Sequence, residues 1–167
     1  MLVERFYPDE YLDSTYDIDF QSLYDRGYRG VLFDIDNTLV PHGAPADERA
    51  VAFFASLREM GMGYCLISNN QLPRVKPFED QVQAKFVEDA HKPSPKNYRR
   101  GMELLGCTQA DCLFVGDQLF TDIWGAKRAG MHTILVKPLH PREEIQIVLK
   151  RYLEKIVLHF YRKQQKR

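Results

Sequence analysis

The chain contains no apolar run approaching the 18 or more residues of a membrane span, so nothing in it reads as a transmembrane helix. Its opening residues, Met1-Leu2-Val3-Glu4-Arg5-Phe6, lack the basic stretch followed by an apolar one that marks a secretory signal. Three cysteines, Cys65, Cys107 and Cys112, are odd in number and without CxxC spacing. Cys65 and Cys112 lie within apolar runs, where a buried reduced thiol is expected, and a reducing cytoplasm follows as the expected compartment. There are no internal repeats and no low-complexity segment. Net charge is also missing, with 23 basic and 23 acidic residues. What remains is a chain of 167 residues, 44% apolar, sized for one domain over residues 1–167 with a proper core.

The zero net charge conceals an asymmetry. Residues 1–25 carry seven acids against Arg5, whereas residues 150–167 carry seven bases against Glu154, leaving the tail at +6 and the remainder at −6. A basic end suits an anionic partner, and the solvated face of a C-terminal helix accounts for it equally. Nucleic acid is not expected.

After a polar lead-in over residues 1–29, short apolar runs alternate with helical patterns. Gly30–Asp34, Gly63–Ser68, Lys85–Val87, Cys112–Gly116 and Thr133–Val136 read as strands covered on both faces, as in a parallel sheet. Asp47–Met60 reads as a helix closed by Gly61, Ser94-Pro95 opens another that runs to Leu105, and Leu119–Ala129 ends at Gly130. This alternation predicts a doubly wound α/β fold over residues 30–140, a Rossmann-like three-layer sandwich with a mainly parallel sheet of about five strands. Ligands of such sheets sit at the carboxyl ends of the strands. Pro141–Arg167 reads as a long amphipathic helix. Ile145, Val148, Leu149, Tyr152, Ile156 and Phe160 form its predicted inward stripe with Leu153 and Val157 at its edge, and Ile147 and Leu158 are left among the basic residues outside. Two scattered surface residues or a peripheral membrane contact would explain that pair.

The most informative segment is Val31-Leu32-Phe33-Asp34-Ile35-Asp36-Asn37-Thr38-Leu39. Residues i and i+2 of a strand point the same way, so Asp34 and Asp36 can converge beyond its end. Two carboxylates that close repel, and the site wants a divalent cation or a shared proton; Mg²⁺ fits oxygen ligands best. Three further strand ends carry polar residues in order: Ser68-Asn69-Asn70, His91-Lys92-Pro93, and Gly116-Asp117 followed by Asp122. Each alone is an ordinary turn or surface feature. Together they form one constellation.

These motifs resemble the haloacid dehalogenase superfamily of aspartyl-phosphate phosphatases, over Gly30 to Val136. The resemblance implies that Asp34 is the nucleophile and Asp36 the general acid/base. It implies that Asn37, Thr38, Ser68, Asn69 and Lys92 bind the phosphoryl group, and that Mg²⁺ is held at Asp34, Asp36 and Asp117. Asp122 and Gly116 would support the acidic motif. The detailed wording, with Tyr7-Pro8 through Ser14, Tyr16 and Asp17-Ile18, is similar to a capless subgroup that includes the YqeG-type bacterial proteins and mitochondrial phosphatidylglycerophosphate phosphatases.

Only 32 residues separate Asp36 from Ser68 and 24 separate Ser68 from Lys92, too few for a cap domain. An open site suits a phosphate on something bulky, or closure by a neighbouring subunit. The expected activity is Mg²⁺-dependent phosphomonoester hydrolysis, with a lipid phosphate such as phosphatidylglycerophosphate leading and soluble phosphate esters second. The lipid reading places the protein in the cytoplasm, peripheral on the inner face of the membrane. A receiver domain carries its phosphoacceptor on a middle strand and does not fit. A silent binding module has no need for a costly carboxylate cluster. His42 and His91 are weaker candidates.

Overall fold

The computed structural model describes residues 2–140 and 145–166, without the side chains of Ile145 and Gln146. Among them are the strands β1 (Glu10–Leu12), β2 (Gly30–Phe33), β3 (Gly63–Ile67), β4 (Lys85–Val87), β5 (Cys112–Gly116) and β6 (His132–Val136). The helices are α1 (Phe20–Asp25), α2 (Glu48–Met60), α3 (Leu72–Val82), α4 (Pro95–Leu105), α5 (Trp124–Arg128) and α6 (Ile145–Gln165). All strand pairings are parallel, in the order β1-β6-β5-β2-β3-β4. The doubly wound α/β expectation holds, with six strands rather than five and no cap among the described residues.

Alternation along each strand divides the core. Val31 and Phe33 of β2, Leu66 of β3 and Val115 of β5 face α1, α2 and α3, where Phe20, Phe54 and Phe78 are buried. Leu32, Cys65, Ile67 and Phe114 face α4 and α5, with Tyr98, Met102 and Ala126. Cys65 and Cys112 are fully buried free thiols. The helix ends follow their sequence signals. The Asp47 carboxylate accepts from the Ala50 N–H at 2.8 Å at the start of α2, and Gly61 and Gly106 take left-handed conformations after α2 and α4.

The additional strand comes from the lead-in. Glu10–Leu12 pairs with Ile134–Val136 at the sheet edge, and the Asp9 carboxylate accepts from the Thr133 N–H and hydroxyl, both at 2.8 Å. A three-residue edge strand of mixed polarity carries no readable period.

The C-terminal helix corrects the sequence reading. Of the expected span, residues 141–144 and 167 lie outside those described, and the orientation of the helix is reversed. Val157, expected at the edge of the stripe, and Tyr161 are buried against Tyr7, Leu119 and Leu135, with Leu158 partly buried beside them. Leu149, Tyr152 and Ile156, expected inside, are 63%, 63% and 56% exposed, and Val148, Leu153 and Phe160 are exposed as well. Ile147 and Leu158, expected outside, are partly buried. The packed side includes Glu154, so hydrophobic periodicity selected the wrong one of two apolar faces.

Candidate active site

All strands run the same way, so the ends of β2, β3 and β5 lie side by side and the loops from β2, β3, β4 and β5 meet above them. The ladder continues one residue past β2, where the Asp34 N–H donates to the Val115 carbonyl at 3.0 Å. Asp34 is 7% exposed. Lys92, after β4, sends its ammonium to Asp34 Oδ1 and Asp122 Oδ1, both at 2.6 Å. The Thr38 hydroxyl lies 3.2 Å from Asp34 Oδ2 and 3.1 Å from Asp117 Oδ1, and shares its one proton between them.

Gly116 makes this closeness feasible. A Cβ there would lie 2.6 Å from the side chain of Asp122. With hydrogen in its place, Asp122 Oδ2 approaches the backbone and accepts from the N–H groups of Asp117 and Gln118 at 3.2 and 3.1 Å. Behind it the Tyr98 hydroxyl donates to the Thr121 carbonyl at 2.6 Å, and Gly125 leaves room for the ring.

Ser68 is buried, its hydroxyl accepting from the Asn70 N–H at 3.0 Å. Asn69 Oδ1 accepts from the Lys92 N–H at 2.7 Å and ties the second strand end to the third. Asn37 sits at φ 60° in the turn after Asp36, and its carbonyl accepts from the Leu139 N–H at 3.1 Å. Asp36 faces elsewhere. Its carboxylate accepts from the Gly43 N–H at 2.8 Å, Arg74 Nη2 at 2.8 Å and Asn70 Nδ2 at 2.6 Å. His42 and His91 are exposed.

Asp34, Asp117 and Asp122 each offer a carboxylate oxygen, all within 4.8 Å of one another. Of the three residues expected at a metal, Asp34 and Asp117 are in this group; the Asp36 carboxylate lies outside it, and Asp122 is the third member. Burial, then the charge of Asp122, holds Asp34 well above the usual carboxylate range and pushes Asp117 up to about 6. Burial pulls Lys92 down, but Asp122 and Asp34 outweigh it and the ammonium is held well above its ordinary value. Burial also raises Asp36, yet the Gly43 N–H and Arg74 outweigh it and keep that carboxyl below its ordinary value. Hard oxygens of Asp34 and Asp117 converging on one hydroxyl, with their ionised forms penalised, fit a hard divalent cation that would relieve the penalty.

Sequence reasoning missed the contribution of α6. Arg151 Nη2 donates to Asp117 Oδ2 and Nη1 to the Asp117 carbonyl, both at 2.5 Å, and Nη1 lies 3.0 Å from Glu154 Oε2. Glu154 Oε1 accepts from the Leu119 N–H at 3.1 Å, so the terminal helix is fastened to the loop that carries Asp117. The available signal was Glu154, one acid among seven bases on a helix otherwise suited to water. Arg74, on α3, was signalled by nothing in its neighbourhood.

Residues 90–138 match the family described as HAD-hydrolase-like. The chain is 35% identical over 159 residues to the Bacillus subtilis protein named "Probable phosphatase YqeG", covering 95% of this chain and 92% of that one. It is 30% identical over 164 residues to the Arabidopsis thaliana "Phosphatidylglycerophosphate phosphatase 1, chloroplastic/mitochondrial", covering 83% of this chain and 45% of that longer protein. Among solved structures, a HAD family hydrolase from Deinococcus radiodurans with bound phosphate and sodium shares the fold. Its TM-score is 0.57 over 75% of this chain and 88% of that one, at 17% identity. With a triad of buried aspartates at its strand ends, the chain belongs to the haloacid dehalogenase-like hydrolases, among the YqeG-like phosphatases.

Proposed function

We propose that the protein is a Mg²⁺-dependent phosphomonoesterase that works through an aspartyl-phosphate on Asp34. One observation carries the reading: Asp34 is buried between Lys92 and Thr38, with Asp117 and Asp122 beside it. A phosphate monoester dianion repels an attacking carboxylate, and the Lys92 ammonium offsets that repulsion. When bound at Asp34 and Asp117, Mg²⁺ supplies further neutralising charge. A carboxylate oxygen of Asp34 attacks phosphorus, the bond to the leaving oxygen breaks, and the alkoxide takes the proton of Asp36, which enters this step in its protonated form. Asp36 then removes a proton from the water that attacks phosphorus, releasing inorganic phosphate and free Asp34. Both roles require the Asp36 side chain to leave Gly43, Asn70 and Arg74, which hold its ionised form, and to turn toward the phosphoryl group. Ser68, Asn69, Asn37 and Thr38 are assigned to the phosphoryl oxygens, and Gly116 and Asp122 to holding the acidic motif in place.

The leading substrate is a lipid phosphate such as phosphatidylglycerophosphate. Similarity to the plant enzyme of that name supports it, as do the short connections that leave the site without a cap. No helix among the described residues is long and apolar enough to cross a membrane. The lipid reading puts the protein in the cytoplasm, meeting lipid from the inner face of the membrane. Phosphate release from phosphatidylglycerophosphate in mixed micelles, set against p-nitrophenyl phosphate and sugar phosphates with and without EDTA, tests it. Faster release from soluble esters would move the soluble reading ahead, and full activity in EDTA would reject the metal.

A further inference from the structure

Exposed large apolar side chains are ordinary when scattered and informative when gathered. Of the nine exposed large hydrophobic residues among those described, six lie on α6: Val148, Leu149, Tyr152, Leu153, Ile156 and Phe160. At 100° per residue they occupy an arc of about 140° on the side away from Val157 and Tyr161. The helix thus has two apolar faces, one packed and one bare.

Charge selects what covers the bare face. The described part of α6 carries one acid, Glu154, which is 4% exposed and turned inward to Leu119 and Arg151. Its exposed charges are all positive: Lys150, Lys155, Arg162, Lys163 and Lys166. A second copy docking through the same helix would set this array against itself with no facing acid. A helix with a wide apolar stripe, an aromatic residue within it and basic residues along its edge has the chemistry of an element that lies in a lipid–water interface.

Position adds a second argument. Lys155, His159 and Arg162, on one edge of the stripe, also line a groove of about 740 Å³. The groove continues over Tyr11, Leu135 and Leu158 to Asp117 and Arg151 at the edge of the candidate active site. An anionic surface on the stripe would therefore place lipid headgroups at the groove mouth.

We infer that α6 docks the protein onto an anionic lipid bilayer. Leu149, Tyr152, Leu153 and Ile156 enter the interface, and Lys155 and Arg162 meet lipid phosphates. The inference deepens the phosphatase reading and rests on it for the use made of the groove; the docking itself rests on the two faces of α6.

Vesicle sedimentation of the full chain tests it, with phosphatidylcholine alone compared with phosphatidylcholine plus phosphatidylglycerol. Binding to the anionic vesicles should exceed binding to the neutral ones and should fall as salt rises. Leu149→Ser combined with Ile156→Ser should reduce binding at least about tenfold while leaving the melting temperature unchanged, because both side chains are exposed. Equal binding to the two vesicle types, or undiminished binding by the double variant, overturns the inference. So does sedimentation velocity showing a wild-type dimer that the double variant breaks, since a second copy would then cover the stripe. Phosphate release by the same wild-type preparation, from phosphatidylglycerophosphate in mixed micelles and from p-nitrophenyl phosphate, separates the two readings: docking with release from neither upholds the bilayer and rejects the phosphatase, and release from either without docking does the reverse.

Discussion

Replacing Lys92 with Met tests how the acidic cluster is held together. The Lys92 side chain is 4% exposed, and its ammonium bonds Asp34 and Asp122 at 2.6 Å each. Met fills much the same volume but leaves two buried carboxylates facing each other beside Asp117. Breaking a buried pair on one side costs about 3–5 kcal/mol. Protonation sets a ceiling: neutralising one carboxyl of ordinary pKa 3.8 at about pH 7.5 costs roughly 5 kcal/mol, and at about pH 5 only roughly 1.6 kcal/mol. A carboxyl whose folded pKa is raised contributes stability fully present below its unfolded pKa and lost as pH rises through the folded value. The deficit of Lys92→Met should therefore be large near neutrality and shrink on acidification. For a chain of this size, 3–5 kcal/mol corresponds to a fall of about 6–20 °C in melting temperature. Differential scanning fluorimetry in EDTA at the two pH values is the assay. A variant that melts at or above the wild type near neutrality, or whose deficit grows in acid, would refute the electrostatic account.

Gly116→Ala should destabilise by about 2–5 kcal/mol in urea titration and lower phosphatase activity, because the new methyl pushes Asp122 off Lys92 and off two backbone N–H groups; an unchanged midpoint would show that the close approach is not required. Arg151→Ala should lower the melting temperature of the metal-free protein by leaving Asp117 and Glu154 without their shared cation, and Mg²⁺ should restore much of the loss; a variant indifferent to both would leave α6 uncoupled from the site. Val157→Ser should cost about 1–3 kcal/mol, whereas Ile156→Ser should stay within about 0.5 kcal/mol; the reverse order in chemical denaturation would restore the packing face expected from periodicity.

The parts of the fold and site that were legible in the sequence lie on local signals. The aspartate motif after Val31-Leu32-Phe33, the proline at the start of α4 and the glycines after α2 and α4 constrain the backbone where they stand. The structure brings Asp34, Lys92, Asp117 and Asp122 together because each occupies the carboxyl end of a parallel strand, the loop that follows it or, for Asp122, the helical turn after that loop. Three things were not legible, each for a non-local reason. Strand β1 exists because β6 offers an unpaired edge and Thr133 receives Asp9. The packed face of α6 is chosen by Arg151 and Glu154 bonding the Asp117–Leu119 loop, and apolar periodicity does not register a buried ion pair. Asp36 turns from the acidic cluster because Arg74, on α3, and Asn70 meet its carboxylate.

The central claim is that Asp34 becomes covalently phosphorylated during turnover. Asp36→Asn slows the water attack that clears the intermediate, so this variant, mixed with phosphorylated substrate and Mg²⁺ and acid-quenched, should retain one phosphoryl group. Peptide mapping by mass spectrometry should place the group on Asp34. Hydroxylamine should remove it, and Asp34→Asn should carry none and release no phosphate. Phosphate release by Asp34→Asn at the wild-type rate, or a label on any other residue, would contradict the account.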